Sequence, residues 1–83
     1  MAEVILTKKA EKSFLKLKAS DQKKLSKAID KLVNNPLVGE KLRGEFEGQY
    51  KLYAWPYRII YLFSPMEGLI TVIEIGHRQG IYK

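Results

Sequence analysis

Apolar and polar positions change period midway along this chain, dividing it into a helical half and a sheet half. The run Glu3-Val-Ile-Leu6 fits a short strand. Ala10, Phe14 and Leu17 follow at helical spacing among Lys8, Lys9, Lys12 and Lys16. Thr7, just ahead of them, has the chemistry of an N-cap, because its hydroxyl can accept an orphan N–H of the first turn. Lys18-Ala-Ser20 breaks the pattern, and Ser20 or Asp21 offers a second cap. Leu25, Ala28, Ile29, Leu32 and Val33 then form a one-sided stripe at i, i+3, i+4, i+7 and i+8. Asn34-Asn-Pro36 stops that helix, since proline disfavours the α region in the residue before it. Beyond it, residues 50–53, 57–63 and 69–76 are rich in β-branched and aromatic side chains. Turn-like segments at 54–56 and 64–68 separate them. The predicted order is β-α-α-β-β-β. It gives an α+β fold in which a helical hairpin packs on one face of a small, mostly antiparallel sheet. No repeat, linker or low-complexity tract interrupts it, so residues 1–83 read as a single domain.

Strand parity then sorts the charged residues. Side chains alternate between the faces of a strand, so Arg58, Ile60 and Leu62 oppose Tyr57, Ile59, Tyr61 and Phe63. A five-residue loop over 64–68 sets Phe63 opposite Leu69 and Arg58 opposite Glu74. That register puts Ile70, Val72, Glu74 and Arg78 on the face of Arg58. It leaves Leu69, Thr71, Ile73 and Ile75 on the core face. An even-numbered connection at Trp55 adds Lys51 and Tyr53 to the arginine face. The apolar residues Ile60, Leu62, Ile70 and Val72 then form an exposed patch beside the arginines, of the kind that marks a binding surface. With the chain ending at Lys83, no long covering helix is expected over this face.

Composition narrows the chemistry. Eighty-three residues make one domain that buries about 60% of its unfolded surface. There is no cysteine and one histidine, which excludes a disulfide framework, a thiolate zinc site and a cysteine nucleophile. No metal and no cofactor is expected. No apolar stretch is long enough to cross a bilayer and no signal-peptide h-region is present, which points to a soluble, cytoplasmic protein without a membrane partner. Of the net charge of +6, residues 1–41 carry +5 and residues 42–83 carry +1. Lysine-rich surface suits a polyanion, although lysines also simply solvate helix faces. Arginine is used only at positions 43, 58 and 78, all in the later half. The guanidinium fork grips phosphate bidentately where lysine is a flexible point charge, so these three mark a candidate anion site.

Several short motifs occur in a defined order: Lys41-Leu-Arg-Gly44, Tyr50-Lys-Leu-Tyr53, Tyr57-Arg-Ile-Ile-Tyr61, Ile75-Gly-His-Arg78 and Ile81-Tyr82. Together they resemble the RelE/ParE toxin superfamily over essentially the whole chain. The resemblance implies the toxin of a type II toxin–antitoxin pair. Its RelE branch enters the ribosomal A site and cuts mRNA, whereas its ParE branch poisons DNA gyrase. A non-catalytic, antitoxin-binding member is a third reading. Carried over position by position, the RelE-like site comprises Arg58, Arg78, Lys51 and Tyr82 as catalytic groups, with His77 next. Arg43, Lys41 and Tyr53 would contact substrate. Tyr53 stands where some RelE toxins have a second lysine, the hairpin at Trp55 is shorter, and His77 stands where others have lysine.

The implied reaction needs no metal: a ribose 2′-OH attacks the adjacent phosphorus. Arginines stabilise the phosphorane charge, each such group being worth on the order of 10²–10³ in rate. A proton acceptor and a proton donor add roughly 10²–10⁴. A cationic neighbourhood is expected to lower the pKa of Lys51 or Tyr82 and make either a base. The only imidazole, His77, points away from Arg78 in a regular strand. The implied partners are mRNA, the ribosome and a cognate antitoxin. The antitoxin is expected to offer an acidic, amphipathic segment that covers the arginine face and joins a monomeric toxin in a hetero-oligomer.

Overall fold

Among residues 2–44 and 48–77, which a computed structural model describes, the chain forms five strands and two helices. The strands are β1 (Glu3–Leu6), β2 (Glu40–Lys41), β3 (Gln49–Ala54), β4 (Tyr57–Ser64) and β5 (Leu69–His77). The helices are α1 (Lys8–Leu15) and α2 (Ala19–Asn34), and both precede β2 in the chain. One sheet has the order β1-β5-β4-β3-β2, with β1 parallel to β5 and every other pair antiparallel. The expected α+β architecture is therefore present, with one addition. The two-residue β2 is too short to show a period in sequence, and it exists only because Glu40 and Lys41 find Lys51 and Tyr50 across from them.

Thr7 caps α1 as expected, and it does more. Its hydroxyl accepts the Ala10 N–H at 3.2 Å and donates to the Ile73 carbonyl at 2.9 Å, tying the start of the helix to β5. The second helix begins at Ala19, two or three residues earlier than a cap at Ser20 or Asp21 would place it. Neither Ser20 nor Asp21 caps it; the N-cap is Lys18, without a side-chain bond, and its carbonyl accepts from both Asp21 N and Gln22 N at 3.0 Å. The Gln22 amide closes the junction instead, donating to the Phe14 and Leu17 carbonyls at 3.1 Å each. Asp21 is thereby released to accept a 2.8 Å bond from the Tyr57 hydroxyl.

The predicted stripe is the core. Ala10, Leu25, Ala28 and Leu32 from the helices are buried against Ile59, Tyr61, Ile70, Val72 and Ile75 of the sheet. Each large aliphatic group buried here is worth about 1.5–3 kcal/mol.

The register of the last hairpin corrects the parity argument. Ser64 pairs with Leu69, so the loop is the four residues 65–68 rather than five, with Gly68 at φ +61°. A side chain would strain at that φ. The one-residue shift turns Ile70 and Val72 onto the helix side, opposite Phe63 and Tyr61, where both are fully buried. Leu69 and Thr71 move to the open face, opposite Ser64 and Leu62. A bulge between Ile60 and Tyr61 then places an extra residue, Ile73, in β5. The carbonyl of Ile73 is the one held by Thr7. Past the bulge the predicted faces return: Glu74 lies with Ile60 and Arg58 on the open side, and Ile75 packs in the core. The partner of Arg58 in the ladder is consequently Gly76, not Glu74.

Tyr61 anchors the approach to β2. Its ring stacks on Tyr50, centroids 5.3 Å apart. Its hydroxyl donates to the Pro36 carbonyl at 2.8 Å and accepts the Gly39 N–H at 3.0 Å. Gly39 passes so close that an added Cβ would meet the Tyr61 hydroxyl and lie 2.8 Å from the Lys51 carbonyl.

Candidate active site

The helices cover one side of the sheet, and the chemistry gathers on the other. The two-residue turn at Trp55-Pro56 pairs Ala54 with Tyr57 and Tyr53 with Arg58, so Lys51, Tyr53 and Arg58 share the open face. The Tyr53 ring is contacted by two cations. The Lys51 ammonium lies 5.4 Å from its centroid and the Arg58 guanidinium carbon 5.0 Å. Cation–π contacts of this kind contribute on the order of 0.5–1 kcal/mol at exposed sites and more when desolvated. They hold both heads against one rigid ring. The stem of Arg58 is sunk into the sheet, with Nε out of contact with solvent.

Two carboxylates border the cluster. Glu40, carried opposite Lys51 by the unforeseen β2, pairs with its ammonium at 3.3 Å. Glu74 is engaged by Lys9 of α1 at 3.1 Å, which replaces the expected cross-strand pair with Arg58. The Lys51 side chain is only 18% exposed. Its pKa is raised above the ordinary lysine value, chiefly by Tyr53; burial opposes the shift and Glu40 reinforces it. The lowering expected from a cationic neighbourhood is not found: burial alone acts in that direction, and the Tyr53 oxygen and the Glu40 carboxylate outweigh it. Lys51 is thus held as an ammonium.

The other candidates are spread more widely. Lys41 and Arg43 are exposed and line a cleft of about 370 Å³ with Leu42 and Gly48. The Leu42 N–H bonds the Gln49 carbonyl at 2.9 Å. Gln49 lies four residues from Tyr53 along β3, about 13 Å at 3.3 Å per residue. Arg43, just past β2, therefore lies beside the Gln49 end of β3, away from the Tyr53 end where Arg58 pairs, and its backbone does not converge on Arg58. His77 pairs with Tyr57 on the helix side and sets its ring edge-on to the Tyr57 ring, centroids 6.0 Å apart. The structure does not bring it to the Lys51–Arg58 cluster. Arg78 and Tyr82 lie outside the described residues. Glu40 was missed because a two-residue strand gives no pattern to read, and the Lys9–Glu74 pair because a bulge has no signature here.

Comparison with known structures places this architecture. The chain matches the toxin–antitoxin complex RelBE2 from Mycobacterium tuberculosis with a TM-score of 0.85 and 25% identity, over 93% of this chain and 98% of that one. It matches the isolated E. coli RelE toxin with a TM-score of 0.81 and 24% identity, over 93% and 84% of the two chains. A YoeB/ParE toxin from Agrobacterium tumefaciens gives 0.80 at 19% identity, over 93% and 98%. No curated relative matches at the level of sequence. Two helices laid on one side of a five-stranded sheet, with the other side left open, is the architecture of the RelE/ParE toxin superfamily. Within it, the profile described as "ParE toxin of type II toxin-antitoxin system, parDE" matches residues 4–82, and the chain belongs to that family.

Proposed function

We propose that this toxin is a metal-independent endoribonuclease that cleaves mRNA, in the ribosomal A site, by attack of a ribose 2′-OH on the adjacent phosphorus. The observation that carries the reading is the placement of Lys51 and Arg58 against the two-cation ring of Tyr53, on the sheet face that the helices leave open. In the reaction the 2′-oxygen–phosphorus bond forms and the phosphorus–5′-oxygen bond breaks, leaving a 2′,3′-cyclic phosphate and a 5′-OH. The 2′ proton passes to a base and the 5′ oxygen takes up a proton. Arg58, with its stem fixed in the sheet, supplies preorganised donors to the phosphorane oxygens. Lys51, held protonated, adds positive charge there and can protonate the leaving oxygen; it is not the base. Proton acceptance falls to Tyr82, with Arg78 as a second guanidinium, as the resemblance to RelE-like toxins implies. Arg43 and Lys41 grip phosphate farther along the strand.

The partner is a cognate antitoxin. Solved relatives include RelBE2 and RelBE toxin–antitoxin complexes. The expected apolar patch shrinks to Leu62 of its four residues, since Ile70 and Val72 are buried beneath the helices and Ile60, on the open side, is buried as well. Ile5 and Leu62 remain exposed on the open side, where an acidic, amphipathic segment would cover them and neutralise the cations.

Primer extension on a reporter transcript after induction tests the nuclease reading. Wild type is expected to give cuts within translated codons, and Arg58→Ala to lose them by about 10²–10³ in rate. The family profile favours one competing reading, a ParE-like gyrase inhibitor without nuclease activity. Intact transcripts together with blocked supercoiling would establish that reading instead.

A further inference from the structure

A second cationic surface lies around the edge of the sheet from the Lys51–Arg58 cluster. Lys24, Lys27 and Lys31 project from one side of α2 at i, i+3 and i+7, two turns and about 10 Å of helix. They line a groove of about 260 Å³ whose other wall is Tyr53, Ala54 and Trp55. Lys24 donates to the Trp55 carbonyl at 2.9 Å, which fixes the turn against the helix. Trp55 is 60% exposed and Tyr53 48%. Among the described residues no acid lines the groove: on α2, Asp21, one turn before Lys24, accepts the Tyr57 hydroxyl, and the exposed Asp30 beside Lys31 is not part of the lining. Tyr53 belongs to both surfaces. It lines the groove, and its ring contacts Lys51 and Arg58, so the two cationic regions meet at this one residue.

We propose that this groove is a second nucleic-acid subsite. It takes the single-stranded RNA backbone as it leaves the Lys51–Arg58 cluster, passes Tyr53, and follows the three α2 lysines with one base stacked on Trp55. A row of point charges beside an aromatic platform is the chemistry that holds single strands without reading sequence, because every base has a π-face and every nucleotide a phosphate. Three lysines on one helix side with no lining acid are complementary to such a strand. The choice of RNA as the strand rests on the ribonuclease reading.

Fluorescence anisotropy with a 2′-O-methyl RNA dodecamer tests the proposal without cleavage, since the attacking hydroxyl is blocked. The proteins compared are wild type, Lys24→Gln/Lys27→Gln/Lys31→Gln, and the charge-matched Lys8→Gln/Lys12→Gln/Lys16→Gln on α1. Single strands give a salt slope of about 0.7 per neutralised phosphate, so the groove variant is expected to lose about 2 from the slope of log K against log salt. The α1 variant is expected to lose less than one. Trp55→Ala weakens binding about 5- to 150-fold, the effect of one lost stacked base, and Trp55→Phe restores most of it. Equal slopes for the two triple variants would overturn the proposal. So would a groove variant that keeps RNA affinity but loses binding to an acidic antitoxin peptide, which would make the groove a protein-docking surface. Cleavage is read separately through Arg58→Ala, so a binding groove on a chain that leaves transcripts intact would refute the nuclease reading alone.

Discussion

Replacing Tyr61 by phenylalanine removes one oxygen and tests how the sheet holds the segment leading to Lys41 and Arg43. The ring should stay, because it is fully buried and stacked on Tyr50. What disappears is the pair of bonds to the Pro36 carbonyl and the Gly39 N–H, at 2.8 and 3.0 Å. Each partly buried bond contributes about 0.5–1.5 kcal/mol net, and each backbone partner left unsatisfied raises the cost. The expected loss is about 2 kcal/mol. For a domain of this size that lowers Tm by about 8–16 °C. Urea unfolding followed by circular dichroism measures it. The pH dependence gives an independent check. Burial is the main cause that raises the Tyr61 pKa above 10.0, with the Gly39 N–H opposing it. A phenol with a raised folded pKa contributes its stability fully below the ordinary value and loses it as pH rises through the folded one. The gap between wild type and Tyr61→Phe should therefore be constant below pH 10 and close above it. A variant within 0.5 kcal/mol of wild type, or a gap that widens in alkali, would refute the anchoring role.

Gly39→Ala is expected to cost about 1–3 kcal/mol, because the new methyl meets the Lys51 backbone carbonyl, which cannot turn aside; an unfolding midpoint equal to wild type would contradict the close approach. Thr7→Ala removes a cap and the bond to the bulge and should destabilise by about 1–2 kcal/mol, with Thr7→Ser recovering most of it in the same melts. The Tyr57 hydroxyl is held above pKa 10.0 first by its bond to Asp21 and then by burial. Asp21→Asn should lower its titration midpoint, read as tyrosinate absorbance against a Tyr57→Phe control, and the stability from this bond should fade only as pH rises above 10. An unmoved midpoint would show that Asp21 does not set it.

Local pattern was enough to specify the two helices, the four long strands and the helix residues of the core. Helical and strand periods are written into consecutive side chains and need no distant partner to be read. Parity along β3 and β4 puts Lys51 and Tyr53 on the face of Arg58 on condition of an even connection at Trp55, and the two-residue turn of the folded sheet meets that condition. Three things depended on contacts far apart in the chain. Glu40 reaches Lys51 only because β3 lends a two-residue strand its partners. The faces of Leu69 to Val72 depend on a loop one residue shorter than its composition implied, and those of Glu74 and Ile75 on a bulge pinned by Thr7 from 66 residues away. Because the side-chain period of a strand is two, a slip of one residue exchanges core and surface, and only the packed sheet decides which slip occurs. The same dependence raises rather than lowers the pKa of Lys51: the net charge of the chain is legible in its letters, but the field at one ammonium is set by the groups that folding places beside it.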